Sequence, residues 1–329
     1  MQQQTRKFQH VKFTGGDFKL VSDQTQQLQN NQILIKVLYS SVNYYDKMLL
    51  KNKQNENCCL GSEGCGTIEQ VGSELDENIV GKKVAFMCDG WGEYAVKNLN
   101  DCIILEDNTE LKNAVDAFIN PLSALCLRRI ILQQEQRNVI IDGASCHLGR
   151  TLIELCRDSD IQICGIVRDD KAAQELKEKY NLKWVLNQNQ QDFDSRFKEL
   201  CKNQEFCPNI YISCVGGDLT GRVFKMMPPK SQLIIVGNLS EKDLTLPVTQ
   251  LFLEGKQIRG FFLERYLKEE LTQAQFSQLC DVVREDFKNG GKVFGVSATK
   301  EMDLKEWDKA LNELDNIHGG KILLNICAQ

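Results

Sequence analysis

Residues Asp142-Gly-Ala-Ser-Cys-His-Leu-Gly149-Arg150 stand between a short apolar run and an amphipathic one. Small residues in a strand-to-helix turn let the backbone close on a phosphate, and a helix N-terminus offers it free N–H groups and a positive dipole end. Laid on G-x-G-x-x-G, the glycine positions hold Ala144, Cys146 and Gly149, a partial match that gains weight from its place after the first strand of six. Ser145, His147, Leu148 and Arg150 complete the expected lining. His147 either touches phosphate or, as the simpler reading of a lone histidine, is an exposed turn residue. The next strand ends Ile166-Val167-Arg168, followed by Asp169, Asp170 and Lys171. A carboxylate at this point binds a ribose 2′-hydroxyl, whereas arginine suits a 2′-phosphate. Arg168 comes first with Lys171 in support, so NADPH is expected rather than NADH, and the two aspartates read as the acidic start of a helix.

The elements that must position these groups are legible in the apolar rhythm. From Asn120-Pro121 onward, strands at Asn138–Asp142, Ile161–Val167, Lys183–Leu186, Ile210–Cys214, Gln232–Val236 and Ile258–Phe262 alternate with amphipathic helices. That alternation predicts a doubly wound parallel sheet covered on both faces, the dinucleotide-binding Rossmann layout. The first third differs. Short β-branched runs (Gln32–Tyr39, Gly66–Gly72, Gly81–Met87, Trp91–Lys97) are punctuated by glycines, and no helical run competes before about residue 111. A small β-rich barrel is expected there. Beyond the sheet, one helix over Lys268–Asn289, a strand over Lys292–Ser297, a helix over Asp303–Asp315 and a closing strand over Lys321–Ile326 are predicted.

These residues carry a resemblance. Ser41-Val-Asn-Tyr-Tyr-Asp46, Leu60-Gly-Ser-Glu-Gly-Cys-Gly66, Val80-Gly-Lys-Lys-Val84, Gly92-Glu-Tyr-Ala95, Asn120-Pro-Leu-Ser-Ala124, Cys214-Val-Gly-Gly217, Val236-Gly237 and Gly319-Gly-Lys321 follow one another as in the medium-chain dehydrogenase/reductase superfamily. The order resembles its zinc-free quinone oxidoreductase and enoyl reductase-like branch. The resemblance implies an α/β fold with a GroES-like barrel domain at 1–118 and 263–329 and a Rossmann domain at 119–262, the tail returning to the barrel. It implies an active-site cleft between the domains, and hydride transfer from NADPH to a quinone or an α,β-unsaturated carbonyl compound. It also adds Asn120, Ser123, Val215, Gly216, Gly237, Phe261, Phe262 and Lys321 to the expected cofactor-binding residues. Asn43, Tyr44 and Tyr45 become the candidate donors to a substrate carbonyl, since an amide or phenol can hydrogen-bond an oxygen without ionising. The plainer alternatives are that Asn43 holds its own turn and that one tyrosine is barrel core. Asp46 and Glu63 are expected to be structural.

Zinc-dependent relatives place a Cys and a His where this chain has Asn43 and Ser62, so no metal is expected. Fourteen cysteines occur without one C-x2-C spacing, which reads as reduced, mostly buried thiols. The stretch 51–57 lacks the tyrosine that enoyl reductase relatives often carry, and Cys146 and His147 alter the phosphate turn. A catalytically impaired chain serving as a structural or interaction subunit of a larger assembly is therefore the alternative to an enzyme. A methyltransferase is a third, disfavoured by the β-rich first third. A net charge of -5 without a basic cluster argues against nucleic acid, and no apolar run reaches membrane-spanning length. The first residues lack a signal-peptide core, so a cytoplasmic location is expected. A homodimer is implied by the resemblance.

Overall fold

The structure, a computed structural model, describes residues 5–51, 58–317 and 320–327; the tyrosine-free stretch at 52–57 and Gly319 lie outside the described residues. Reading along the chain, β1 (Lys7–Thr14) and β2 (Asp17–Gln24) form a hairpin. Its turn is Gly15-Gly16, at φ +58° and +82°, the left-handed conformation that a two-residue hairpin loop requires. Next come β3 (Gln32–Val42), α1 (Tyr44–Lys51), β4 (Glu63–Val71), β5 (Lys83–Met87), β6 (Tyr94–Asn98) and β7 (Ile103–Leu105). Helix α2 (Ile119–Leu132) then leads into β8 (Asn138–Asp142), α3 (His147–Cys156), β9 (Gln162–Val167), α4 (Asp170–Tyr180), β10 (Trp184–Asn187) and α5 (Phe193–Cys201). The alternation continues through β11 (Ile210–Ser213), α6 (Gly217–Met226), β12 (Gln232–Ile235), α7 (Val248–Phe252), β13 (Gln257–Gly260) and α8 (Leu263–Glu269). The tail holds α9 (Gln273–Lys288), β14 (Ala298–Asp303), α10 (Trp307–Glu313) and β15 (Lys321–Asn325).

Two compact units result, Met1–Leu122 with Ser277–Gln329, and Ser123–Phe276. The sequence placed the divisions at 118/119 and 262/263; in the structure they fall inside α2 and α9. In the first unit the sheet order is β14-β15-β3-β4-β5-β7, with β6 also on β3. The tail strand β15 runs antiparallel to β3, pairing Leu324 with Ser40. Val11, Ile33, Ile35, Val84, Phe86, Trp91, Ile322 and Leu324 fill its core. Gly66 permits the close approach of β4 to β3, since a Cβ there would stand 2.0 Å from the Lys36 carbonyl oxygen.

The second unit is a parallel sheet of order β10-β9-β8-β11-β12-β13, which is 3-2-1-4-5-6 in strands of the unit. The order in which strands are added reverses between β8 and β11, which run parallel, and this is the switch point where such sheets bind ligands. Four of the five residues of β8 are buried, as a strand covered on both faces must be.

Three expectations fail for identifiable reasons. Helix α1 was missed: Asn43 and Asp46 cap it reciprocally, Asp46 Oδ2 accepting from Asn43 N at 2.8 Å and Asn43 O from Asp46 N at 3.0 Å. The single helix at 268–289 is two helices. Thr272 and Gln275 make a capping box, Thr272 Oγ1 accepting from Gln275 N at 3.3 Å and Gln275 Oε1 from Thr272 N at 3.0 Å, which starts α9 afresh. Lys292–Ser297 is no strand, because the Asp286 carboxylate takes the backbone N–H groups of Val293 and Phe294 at 3.1 and 2.9 Å.

Candidate functional site

In the first unit, the end of β3, the cap of α1 and the start of β4 converge on buried charge. Asp46 is fully buried, and its carboxylate also accepts from Ser62 N at 2.8 Å and Ser62 Oγ at 3.2 Å. Burial pushes it up to about 6 against the pull of these hydrogen bonds. Glu63 is buried beside it, accepting from Ile119 N at 2.8 Å and from Ser41 Oγ at 3.3 Å. Burial first, and then the charge of Asp116, hold Glu63 well above the usual carboxyl range. Asp116 accepts from Asn120 Nδ2 at 2.6 Å and pairs with Lys321 Nζ at 2.9 Å. Burial pulls the Lys321 ammonium down, but Asp116, Glu63 and Asp46 outweigh it and the net shift is upward.

The orientation of Asn43 follows from this cluster. Lys321 Nζ donates to Asn43 Oδ1, and an ammonium can only donate, so the amide oxygen must face it. The amide nitrogen then faces Ser62 Oγ at 2.9 Å, Glu63 Oε1 at 3.0 Å and Ser41 Oγ at 3.1 Å. Three acceptors for two hydrogens leave none over for a substrate oxygen. Tyr44 donates its phenol to the Leu314 carbonyl at 3.2 Å. Tyr45 is 40% exposed on α1. Of the three expected donors, Tyr45 has the most accessible position, and neither tyrosine is core. Lys321 and Asn120, expected at the cofactor, are engaged by the carboxylates of this unit.

In the second unit the expected turn is built around two glycines. Gly143, at φ +57°, turns the chain out of β8, and Gly143 O accepts from Cys146 N at 2.7 Å. Cys146 is the N-cap of α3, its Sγ accepting from Gly149 N at 3.4 Å. A Cβ on Gly149 would meet Ala144 O at 2.7 Å and Ala144 Cα at 2.9 Å, so only glycine lets α3 lie this close to the strand end. Ala144 is buried; Ser145, His147 and Leu148 are half-buried. His147 is the first residue of α3 and not an exposed turn residue. Arg150 pairs with Glu175 at 2.9 Å.

Asp142, fully buried at the end of β8, fixes the neighbouring strand end. It accepts from Tyr211 Oη, from Ser213 Oγ at 2.8 Å, from Cys214 N at 2.6 Å and from Val215 N at 3.0 Å. Burial raises its carboxyl, the hydrogen bonds opposing. Val215, Gly216 and Gly237 follow β11 and β12; a Cβ on Gly237 would stand 2.9 Å from Cys214 O, and one on Gly216 2.6 Å from Asn238 Oδ1. Both glycines thus keep this face of the strand ends low.

The Asp169 side chain caps α4 through Ala172 N at 2.8 Å. Asp170 takes Asn187 Nδ2 at 2.8 Å and Gln190 Nε2 at 2.9 Å. Arg168 and Lys171 are exposed. Among the described residues neither belongs to an ion pair. Phe261 is buried with its ring 5.4 Å from that of Tyr266, Phe262 is exposed, and Ser123 is buried in α2. The structure therefore gathers Ala144 through Gly149, Arg168, Val215, Gly216 and Gly237 at the carboxyl ends of β8, β9, β11 and β12.

Residues 29–108 match the alcohol dehydrogenase GroES-like domain and 148–283 the zinc-binding dehydrogenase domain. The mitochondrial enoyl-[acyl-carrier-protein] reductase of Dictyostelium discoideum is 22% identical over 319 residues, covering 92% of this chain and 88% of its own. The chain belongs to the medium-chain dehydrogenase/reductase superfamily. It stands in the quinone oxidoreductase and enoyl reductase branch of that superfamily and is an oxidoreductase. A solved structure described as a candidate NADPH:quinone reductase from Mesorhizobium loti shares the fold at TM-score 0.84 and 23% identity, over 98% of each chain. So does a mycobacterial protein solved with NADPH, at TM-score 0.81 and 17% identity over 97% of this chain and all of its own.

Against that superfamily background, two site residues escaped sequence reasoning. Asp116 sits in a segment without motif, and its pairing with Lys321 spans more than two hundred residues of chain. Asp142 stood in the quoted turn, and its apolar strand was a signal that it is buried, but its partners on β11 were not legible. Among the described residues no three His, Cys, Asp or Glu side chains converge as metal ligands. No described helix is long and apolar enough to cross a membrane.

Proposed function

We propose that the chain is a zinc-free, NADPH-dependent oxidoreductase acting on a quinone or an α,β-unsaturated carbonyl compound. The observation that carries this is the end of β9. Asp169 and Asp170 are spent on local structure, while Arg168 and Lys171 stay exposed with their charge available to a 2′-phosphate. The residues fit a dinucleotide: Gly143 turns the chain, Gly149 brings the N-terminus of α3 to the strand end, and Gly216 and Gly237 leave backbone open. They do not fit zinc in the first unit. Asn43 and Ser62 offer an amide and a hydroxyl, both already engaged, and the Lys321 ammonium occupies the carboxylate cluster.

NADPH, when bound, supplies a hydride to an electrophilic carbon. The chain's part is to seat the pyrophosphate on the N–H groups opening α3 and the 2′-phosphate on Arg168. Tyr45, the most exposed of the three expected donors, is the candidate to hydrogen-bond the carbonyl oxygen as it gains charge. The relatives' names, an enoyl-[acyl-carrier-protein] reductase and a candidate NADPH:quinone reductase, support this substrate class.

A homodimer is part of the reading. Strand β13 is the edge of the parallel sheet and exposes Ile258, and the preceding segment exposes Val248, Phe252 and Leu253, the last at 73%. An unpaired strand edge with apolar neighbours is suited to pairing with a second copy.

Titration of the purified protein with NADPH and NADH, followed by fluorescence, tests the cofactor reading. The expected result is tight NADPH binding that Arg168→Glu abolishes while NADH binding changes little. Binding of neither nucleotide at millimolar concentration would overturn it, in favour of a fold retained for assembly.

A further inference from the structure

A thiol, an imidazole and a carboxylate meet on β1, away from the cluster at Asn43. Phe8, His10 and Lys12 alternate onto one face of that strand, while Val11 and Phe13 enter the core from the other. Asp23 lies opposite Phe8 on β2 and so diagonal to His10. Cys59 faces Lys12 across an isolated bridge, held there by Phe13 N–H to Cys58 O at 2.8 Å and Leu60 N–H to Val11 O at 2.9 Å. The period of two along β1 thus brings Cys59, His10 and Asp23 to the same side.

His10 Nε2 is 2.9 Å from Asp23 Oδ2, and His10 Nδ1 is 3.4 Å from Cys59 Sγ. The hydrogen bond with His10, and then that with Lys12 at 3.2 Å, hold the Asp23 carboxyl below its ordinary range. A carboxylate can only accept, so Nε2 carries the hydrogen, and in the neutral ring Nδ1 is left as the acceptor for the Cys59 S–H. The ring is seated by Phe8, their centroids 4.8 Å apart, and by Gly92, where a Cβ would stand 2.9 Å from His10 Cβ. His10 is buried, Cys59 half-buried, and the Asp23 side chain 44% exposed. Nucleophile, base and the group that orients the base therefore stand in order. Burial first, and the Asp89 charge second, push the Cys59 thiol up to about 12, with Lys12 and Lys97 pulling the other way. The sulfur rests as a thiol and becomes a nucleophile as its proton moves to His10, as the hydroxyl does in the serine form of this arrangement.

We propose that Cys59 is a covalent acceptor for α,β-unsaturated carbonyl compounds, with His10 as its base and Asp23 as the residue that positions His10. The sulfur bonds to the β-carbon of the electrophile as its proton passes to His10 Nδ1. The electron pair of the C=C bond moves toward the α-carbon and carbonyl oxygen, and His10 then returns the proton to the α-carbon. The net change is addition of S–H across the double bond, with no leaving group, oxidant or second reactant. A saturated alkylating agent would take the sulfur and leave the proton behind. An enone takes both, which is what a base held between a thiol and a carboxylate can supply. The site needs neither nucleotide nor any residue of the parallel-sheet unit, so the inference stands apart from the cofactor reading.

The test is exposure of the full chain, without nucleotide, to methyl vinyl ketone, with the adduct at each cysteine timed by peptide mass spectrometry. Cys207, exposed in the other unit, is the internal reference. The expected result is a Cys59 adduct whose formation slows about a hundredfold in His10→Gln, with the rate at Cys207 unchanged. Asp23→Asn should slow it too, because an amide can donate to Nε2 and turn the ring hydrogen onto Nδ1, whereas Asp23→Glu should keep the wild-type rate. Should His10→Gln fail to fold by circular dichroism, the two Asp23 variants decide, since that side chain is partly exposed. Labelling of Cys207 with none at Cys59, or a Cys59 rate as fast in the His10→Gln and Asp23→Asn variants as in the wild type, overturns the proposal.

Discussion

Lys321→Met removes the one cation observed among three buried carboxylates while keeping the length and apolar stem of the side chain. Lys321 is nearly buried, with its side chain 11% exposed, and its partner Asp116 has no exposure. Deleting one member of such a pair leaves an uncompensated buried charge, a loss of about 3–5 kcal/mol. The first unit has about 175 residues (122 plus 53). At roughly 2–4 °C per kcal/mol for that size, its thermal midpoint should fall by about 6–20 °C. The pH dependence identifies the cause. The folded-state pKa of Lys321 is raised, so its contribution is complete at all pH values below the ordinary lysine range and is lost only as pH rises above it. In the variant, Asp116 escapes the penalty by taking a proton. The deficit should therefore be larger at pH 8 than at pH 5.5. Urea unfolding followed by circular dichroism at both pH values measures this. A loss under about 1 kcal/mol, equal at the two pH values, would refute the idea that charge compensation holds the cluster.

Asp46 has a folded pKa of about 6 against an ordinary 3.8, so its stabilising share is complete below pH 4 and is lost as pH rises through 6. Wild-type stability should drop by up to about 3 kcal/mol across that window, and Asp46→Asn should flatten the profile; an unchanged slope would reject the assignment. Gly149→Ala forces a Cβ to 2.7 Å from Ala144 O and should cost about 1–3 kcal/mol, with weaker NADPH binding in the same titration. Tyr45→Phe should lower kcat/KM for an enone roughly a hundredfold, the scale of one lost oxyanion donor, with NADPH affinity unchanged; an unaffected rate removes Tyr45 from the site. Ile258→Lys places a charge on the edge strand and should give monomers in sedimentation velocity where the wild type gives dimers.

The six parallel strands were legible because their residues are apolar on both faces, and their helices show a 3.6-residue period. Glycine-punctuated strands around β4 and β5 were legible for the same kind of local reason. Helix α1 was not, although Asn43 and Asp46 are spaced as a cap, because its described run Tyr44–Lys51 is short and follows almost directly on the apolar strand β3. The tight turn between β8 and α3 could be placed from the sequence but not dissected. Which glycine turns the chain (Gly143) and which admits the helix (Gly149) depends on backbone angles and on what lies opposite. The role expected of Asn43 shows the sharper limit. An amide beside a substrate position reads as a donor, but whether its hydrogens are available depends on Lys321, which the chain supplies from its last strand.

That last strand has a temporal consequence. Asn43 and Lys321 are 278 residues apart, and β15 lies between β3 and β14 in the sheet. At ribosomal rates of roughly 5–20 residues per second, the ammonium emerges about 14–56 s after Asn43. All six strands of the parallel sheet are made in that interval. The parallel-sheet unit can therefore mature while Asp46, Glu63 and Asp116 still lack Lys321 and β3 still lacks β15. A nascent chain halted before residue 321 would have its parallel sheet assembled and its other unit unfinished.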